Sequence, residues 1–256
     1  MFDLRGKVAL VTGGGRGIGK AIVRVLAQEG MIVGLNDVRL ELAKSTAKEL
    51  CDEGLRVMPF PGDVSNRAVV SEMIDHVEAE LGPLWLLVNN AGVINTGMAT
   101  DLTEQAWDQA FQIDAKGVFL CSQAAVRRMI PRKGGRVVNI ASIAGVIVRT
   151  DEVAYCSAKA AVVHFTRVLA VEVAPHGITV NCICPGMTRT EMLIGTAKER
   201  GMDLDAMVEL IPAGHMAEET DHANLVAYFA SNEARHVTGQ VVAVDGAQSL
   251  YHPFTK

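Results

Sequence analysis

Apolar residues in this chain fall into short unbroken runs, separated by longer stretches in which they recur at the three-to-four-residue spacing of a helix face. The unbroken runs lie at 8–12, 32–36, 56–60, 84–89, 136–140, 178–184 and 241–244. A short run without polar alternation suits a strand covered on both faces, as in a parallel sheet. The helical spacings lie between them, at 18–29, 40–53, 68–81, 103–129, 154–174 and 218–231. Strand alternating with helix from end to end implies right-handed βαβ units. The expectation is an α/β fold in one domain over residues 1–256, a doubly wound parallel sheet of about seven strands with helices on both faces. One segment breaks the rhythm: residues 187–214 stand where a short loop would serve, and an insertion of that length is commonly a lid over a site.

Composition narrows the possibilities. The 256 residues are about half apolar and carry a net charge of −5, enough apolar material for a sizeable core. Lysine and arginine are scattered, which argues against nucleic acid or an anionic membrane as partner. No apolar run approaches the roughly 20 residues of a spanning helix; the longest, around 137–148, is broken by Asn139, Ser142 and Gly145. The N-terminal "MFDLRGKVAL" places Asp3 and Arg5 where a signal peptide would be apolar. The five cysteines are odd in number and lack zinc-like spacing, so they read as reduced thiols of a cytoplasmic protein with no metal site.

Chemistry enters at two places. In "VALVTGGGRGIGKAIV" a strand runs through a glycine-rich turn into a helix. Gly13, Gly17 and Gly19 permit positive φ and close backbone approach, and the helix start offers free N–H groups and a positive dipole end to a pyrophosphate. Asp37 closes the next strand about twenty residues on, where a carboxylate accepts hydrogen bonds from an adenosine ribose. It would repel a 2′-phosphate, so NAD is favoured over NADP; Arg16 and Arg39 are the residues that would meet such a phosphate. Asp37 as a cap for the following helix is the alternative. In "VAYCSAKAAV", Tyr155 and Lys159 stand four apart, on one helix face, among small neighbours. Snorkelling from a buried helix would explain the pair; so would a lysine charge that tunes a phenol.

Taken with "GDV" at 62–64, "NNAG" at 89–92, Ser142, "YCSAK" at 155–159 and "PGMTRT" at 185–190, the glycine turn "TGGGRGIG" makes the chain resemble the short-chain dehydrogenase/reductase family over nearly its whole length. The resemblance implies a Rossmann-type fold and a set of roles. Gly13, Arg16, Gly17, Ile18 and Gly19 would hold the pyrophosphate side of the cofactor, and Asp63 and Val64 the adenine. Asn90, Ala91 and Gly92 would line the crevice, with Asn89 beside them or merely bracing its strand. Pro185, Gly186, Thr188 and Thr190 would border the nicotinamide. Ser142, Tyr155, Lys159 and Asp114 would be catalytic, Tyr155 and Lys159 also touching the cofactor. One position departs from the pattern. Asp114 stands where the family usually carries a catalytic asparagine, whose backbone carbonyl is thought to hold a relay water; Asp114 keeps the carbonyl and adds a charge.

The expected activity is hydride transfer between NAD and a secondary alcohol or ketone. Tyr155 would be the general acid/base, Lys159 its tuner, and Ser142 the group that orients the reacting oxygen. Substrate contacts are expected from Ile94, Asn95, residues 144–153 (with Arg149, Asp151 and Glu152) and residues 187–211. Three alternatives stand beside this reading. One is an NADPH-linked 3-oxoacyl carrier-protein reductase, with Arg127, Arg128 and Arg132 as a docking patch. The second is a nucleotide-binding regulator that has lost catalysis. The third is a sugar-nucleotide epimerase, for which the chain has little room. The resemblance also implies a homotetramer paired through the helices at 103–129 and 154–174.

Overall fold

The unbroken apolar runs become seven strands: β1 (Val8–Val11), β2 (Ile32–Leu35), β3 (Val57–Pro59), β4 (Leu84–Asn89), β5 (Gly135–Ile140), β6 (Ile178–Pro185) and β7 (Val241–Val244). They form one sheet in the order β3-β2-β1-β4-β5-β6-β7, and every neighbouring pair is parallel. The computed structural model from which this is read describes residues 2–199, 201 and 203–251.

The doubly covered sheet explains the unbroken runs. Along β1, Ala9 and Val11 face one core, and Val8 and Leu10 face another. The first core is closed by α1 (Gly17–Gln28), α2 (Leu40–Asp52) and α9 (Glu219–Ala230), through residues such as Ile22, Leu26, Leu50 and Phe229. The second is closed by α3 (Arg67–Leu81), α5 (Val118–Met129) and α6 (Val153–Val173), through Ile74, Leu120, Met129 and Leu169. Each such side chain contributes about 1.5–3 kcal/mol by leaving water, so a polar residue at any inward strand position would be costly.

Several polar side chains that enter this core bond one another, although Asn89 Oδ1 has no partner among the described residues. Asn89 Nδ2 donates to Ser122 Oγ at 2.9 Å and to Asn139 Oδ1 at 2.8 Å. Asn139 Nδ2 donates to Thr166 Oγ1 at 2.9 Å, and that hydroxyl donates to the Val162 carbonyl. The chain of bonds ties β4 and β5 to α5 and α6, the elements that carry the site.

Two segments differ from the expectation. Residues 104–129 are helical throughout, with Thr103 as the N-cap, but not uniformly so. The segment α4 (Glu104–Ala110) passes into a wider π-helical stretch, Phe111–Gly117, before α5 resumes the α pitch. Such a stretch adds a residue to the turn and re-aims the side chains it carries; Asp114 lies at its centre. Residues 187–214 are not a loop alone, since they hold α7 (Glu191–Glu199) and α8 (Leu204–Val208). Met207 and Ile211 pack there with Met216, Met187 and Leu193 in an apolar cluster separate from the two main cores. Arg200 and Met202 of this segment, and Met1 and residues 252–256 of the expected domain, lie outside the described residues.

Candidate active site

The strand order reverses between β1 and β4, so the loops leaving their C-terminal ends diverge and open a crevice, the usual ligand site of such sheets. Side chains from both loops hold it in shape. Thr12 Oγ1 accepts the Asn90 and Ala91 N–H groups at 3.0 and 3.1 Å. Asn90 Nδ2 donates to the carbonyls of Thr12 and Gly13 at 3.1 and 3.0 Å. The crevice opens into a cavity of about 610 Å³.

At one end the wall is the glycine turn, with Gly13, Arg16, Gly17, Ile18 and Gly19. Gly13 and Gly17 have φ of +62° and +57°, a region that penalises any side chain. A Cβ on Gly13 would sit 2.8 Å from Ala91 Cα, and one on Gly19 would run into the Gly13 carbonyl. A Cβ on Gly17 would meet nothing nearer than 3.8 Å, so at that position the cost of a side chain lies in the positive φ. The turn leads straight into α1, whose first N–H groups receive no side-chain cap and whose own first turn holds no acidic residue. A helix start left open in this way is a fitting cradle for a pyrophosphate.

Asp37 follows at the end of β2, buried in the wall with Val38 and Arg39 beside it. Its Oδ1 accepts the Arg39 N–H at 3.0 Å and the Arg39 Nε–H at 3.3 Å. Arg39, not Asp37, stands at the N-cap position of α2, so Asp37 supports the helix entry from further out. Asp63 and Val64 line the same end, Asp63 also accepting the Ser65 N–H at 2.8 Å. Asn36 lines it too and donates to the carbonyls of Phe60 and Gly62. The sequence reading passed over Asn36, although its place at the C-terminal end of a strand was a usable signal. Asn90, Ala91 and Gly92 face the cavity, whereas Asn89 is absorbed in the buried network already described.

The other end carries Ser142, Tyr155 and Lys159. Ser142 caps a short turn after β5 by accepting the Ala144 N–H at 3.1 Å. Gly145, at the end of that turn, lies so close to α6 that a Cβ would come within 2.7 Å of the Lys159 carbonyl carbon. This contact presses the Ser142 turn against the helix that bears Tyr155 and Lys159. The Lys159 ammonium sits 5.6 Å from the Tyr155 ring centroid and donates to the Ile140 carbonyl at 3.2 Å. Burial pushes the Tyr155 phenol above its ordinary value. Lys159 and a hydrogen bond with Ser142 pull it down, while Asp114 and Glu152 push it further up, and burial prevails. The expected readiness of this phenol to ionise is therefore not produced by the ammonium alone.

Asp114 does not reach the cavity wall. Its carboxylate is wholly buried behind Gly92, where Oδ1 accepts the Val93 N–H at 2.8 Å and Oδ2 lies 3.5 Å from Lys159 Nζ. Burial raises its carboxyl pKa against the opposing pull of Lys159 and the Val93 N–H. For Lys159, burial disfavours the charge, but Asp114 and Tyr155 hold it and the net shift is upward.

Pro185, Gly186, Thr188 and Thr190 continue the wall beyond β6. The Thr188 hydroxyl is turned to the Gly186 carbonyl at 3.0 Å and to His222 Nε2 at 2.8 Å. Thr190 Oγ1 accepts the Leu193 N–H at 3.1 Å and so caps α7. Of the expected substrate contacts, Ile94, Arg149, Glu152, Met187, Leu193 and Met207 line the cavity. Asn95 does not, its amide being bonded to Gln109. Glu191, from the expected segment 187–211, lines the cavity as well, and Val93, Ile113, Ile140 and Ala141 are further lining residues that no motif marked.

Comparison with known proteins agrees with this fold. The family model that matches, over residues 7–201, is described as short chain dehydrogenase. The chain is 39% identical over 250 residues to nodulation protein G of Rhizobium sp. (strain N33), covering 98% of this chain and 100% of that one. It is 35% identical over 245 residues to the 3-oxoacyl-[acyl-carrier-protein] reductase FabG of Staphylococcus epidermidis, covering 95% and 99%. Among solved structures, a single-site variant of actinorhodin polyketide ketoreductase with NADPH superimposes with a TM-score of 0.93 at 32% identity, covering 96% of this chain and 98% of that one.

Proposed function

The chain belongs to the short-chain dehydrogenase family, an oxidoreductase family that binds a nicotinamide cofactor, and on that premise we propose that it moves a hydride between NAD and a secondary alcohol or ketone. The observation that carries the reading is the convergence of Ser142, Tyr155 and Lys159 on one cavity with an uncapped helix start and a buried carboxylate at its far end. When bound, the dinucleotide supplies the hydride acceptor or donor. The glycine turn and α1 hold its pyrophosphate, Asp37 its adenosine ribose, and Asp63 and Val64 its adenine. Asn90, Ala91, Gly92, Pro185, Gly186, Thr188 and Thr190 flank the remainder.

Tyr155 exchanges the proton of the reacting oxygen, as base in oxidation and acid in reduction. Ser142 fixes that oxygen by a hydrogen bond, and Lys159 supplies the positive charge that favours the phenolate. Substrate enters between Ile94, Arg149 and Glu152 on one side and the α7–α8 segment on the other, which closes over it. Apolar lining with Arg149, Glu152 and Glu191 among it suits a small or medium substrate with some polarity. Preference for NAD rests on Asp37: its carboxylate lies in the wall and engages the guanidinium of Arg39, one of the two candidates for a 2′-phosphate. The active form is a homotetramer, a reading supported by the outward apolar residues Phe119 on α5 and Val168 and Val171 on α6.

A panel of secondary alcohols and ketones with NAD and NADP, followed by nicotinamide absorbance, tests the reading. Tyr155→Phe should lower turnover by about 10²–10⁴-fold and leave dinucleotide binding in place. Wild-type turnover by this variant would remove Tyr155 from the proton transfer. A second reading, NADPH-linked reduction of a 3-oxoacyl carrier-protein substrate, is favoured by the likeness to the FabG reductase. A clear preference for NADPH in the same panel would select it.

A further inference from the structure

The carboxylate of Asp114 has no task in holding a dinucleotide, yet it is the counter-charge nearest to Lys159. Its Oδ2 lies 3.5 Å from the ammonium and has no hydrogen-bond partner. Its Oδ1 is fixed by the Val93 N–H at 2.8 Å. Gly92 lies directly over the pair: a Cβ there would stand 3.2 Å from Lys159 Nζ and 3.4 Å from both carboxylate oxygens. Both charges are largely withdrawn from water, Asp114 being 0% and Lys159, at the cavity wall, 4% exposed. In such surroundings opposite charges interact far more strongly than at a surface. An ammonium balanced by a carboxylate exerts a much weaker net field on a neighbour than an unbalanced one.

The geometry points to Asp114 as a positioning residue that offsets the charge of Lys159 and so keeps the Tyr155 hydroxyl proton-loaded at neutral pH, the form that carbonyl reduction consumes. The inference rests on the reading of Tyr155 as the proton-transfer group. An asparagine at 114 has the same shape and could still bond Val93, but it would leave the ammonium unopposed. The groups facing the pair are few. Tyr155 and Lys159 come from α6, Glu152 from just before it, and the Cys182 and Cys184 thiols from β6; the loop at 90–93 contributes no titratable side chain. Glu152 acts in the same sense as Asp114 on the phenol, and burial acts in that sense too.

The experiment is an ultraviolet titration of the Tyr155 phenol, read as the difference between each protein and its Tyr155→Phe counterpart. It is run on the chain alone and with saturating NAD, in the wild type, Asp114→Asn and Asp114→Glu. Asp114→Asn should bring phenolate formation to lower pH by about one unit, with a corresponding rise of about tenfold in oxidation rate at pH values below the wild-type limb. Asp114→Glu, which retains the charge, should titrate close to the wild type, a rescue that a purely structural role would not give. An unmoved titration in Asp114→Asn, or a shift to higher pH because Lys159 has lost its proton, overturns the inference. So does an Asp114→Glu protein that titrates like Asp114→Asn. Because the titration needs no substrate, its outcome is separable from the proposed activity: an alcohol panel without turnover would sink the activity and leave the charge coupling measurable.

Discussion

At the scale of single residues the site is a balance of charges in a dry place. Lys159 favours the phenolate of Tyr155, and burial, Asp114 and Glu152 oppose it. Asp37 is the other decisive carboxylate. It already accepts two hydrogen bonds from Arg39, but a carboxylate has room for about four, leaving capacity for ribose hydroxyls. Asp37→Ala should shift the ratio of kcat/KM values toward NADP by about tenfold or more, since it removes a repulsive charge and frees Arg39. An unchanged ratio would leave Asp37 only its support of the α2 entry. The Tyr155–Lys159 spacing and the glycine turn were both legible in the sequence because each acts through neighbours on one helix or one turn. The depth of Asp114 was not, because its partners Val93 and Lys159 are distant in the chain and meet it only when β4, the π-helical stretch and α6 pack.

Among elements, the turn after β5 and helix α6 show how backbone proximity positions chemistry. Gly145 brings the Ser142 turn against α6 with no room for a Cβ. Gly145→Ala should push the turn outward, costing about 1–3 kcal/mol of stability as overpacking does. Turnover should fall by about tenfold or more as Ser142 leaves its place. Thermal unfolding and steady-state kinetics measure the two effects, and a variant with wild-type turnover would show that the Ser142 turn tolerates displacement. Strand and helix positions followed from apolar patterning, since burial on both faces leaves a period that the residues themselves carry. The π-helical stretch did not, because α and π turns place apolar residues at nearly the same spacing and the choice depends on what Asp114 and Gly117 pack against. Gly117 shows this: a Cβ there would come within 2.9 Å of Val64.

For the whole molecule, His222 links the cavity to the helix that closes the first core. It is 0% exposed on α9 and bonds the Thr188 hydroxyl. Burial lowers its pKa to about 4. The unfolded chain takes up this proton near pH 6.5 and the folded one only near pH 4, so stability is full above 6.5 and declines as pH falls between those values. The decline attributable to His222 should be about 3 kcal/mol. Denaturant midpoints of the wild type and His222→Asn across that range isolate it, because other titrating groups cancel in the difference. Parallel curves would show that the fold does not lower the His222 pKa. The same packing that keeps His222 neutral holds the segment after β6 beside the cavity, so acid should weaken ligand binding before it unfolds the chain.

The amino-acid order alone determined the alternation of strands and helices, the one parallel sheet, the phosphate-type turn and the spacing of Tyr155 and Lys159. These are local matters, set by periodicity, by glycine conformation and by residues one turn apart. Tertiary structure alone decided that Asp114 lies behind the wall and not in it, that Asn89 is spent on bracing, that Gly145 sets the distance between Ser142 and α6, and how far the phenol is from ionising. Each of these depends on desolvation or on contacts between distant segments, which no stretch of sequence carries by itself.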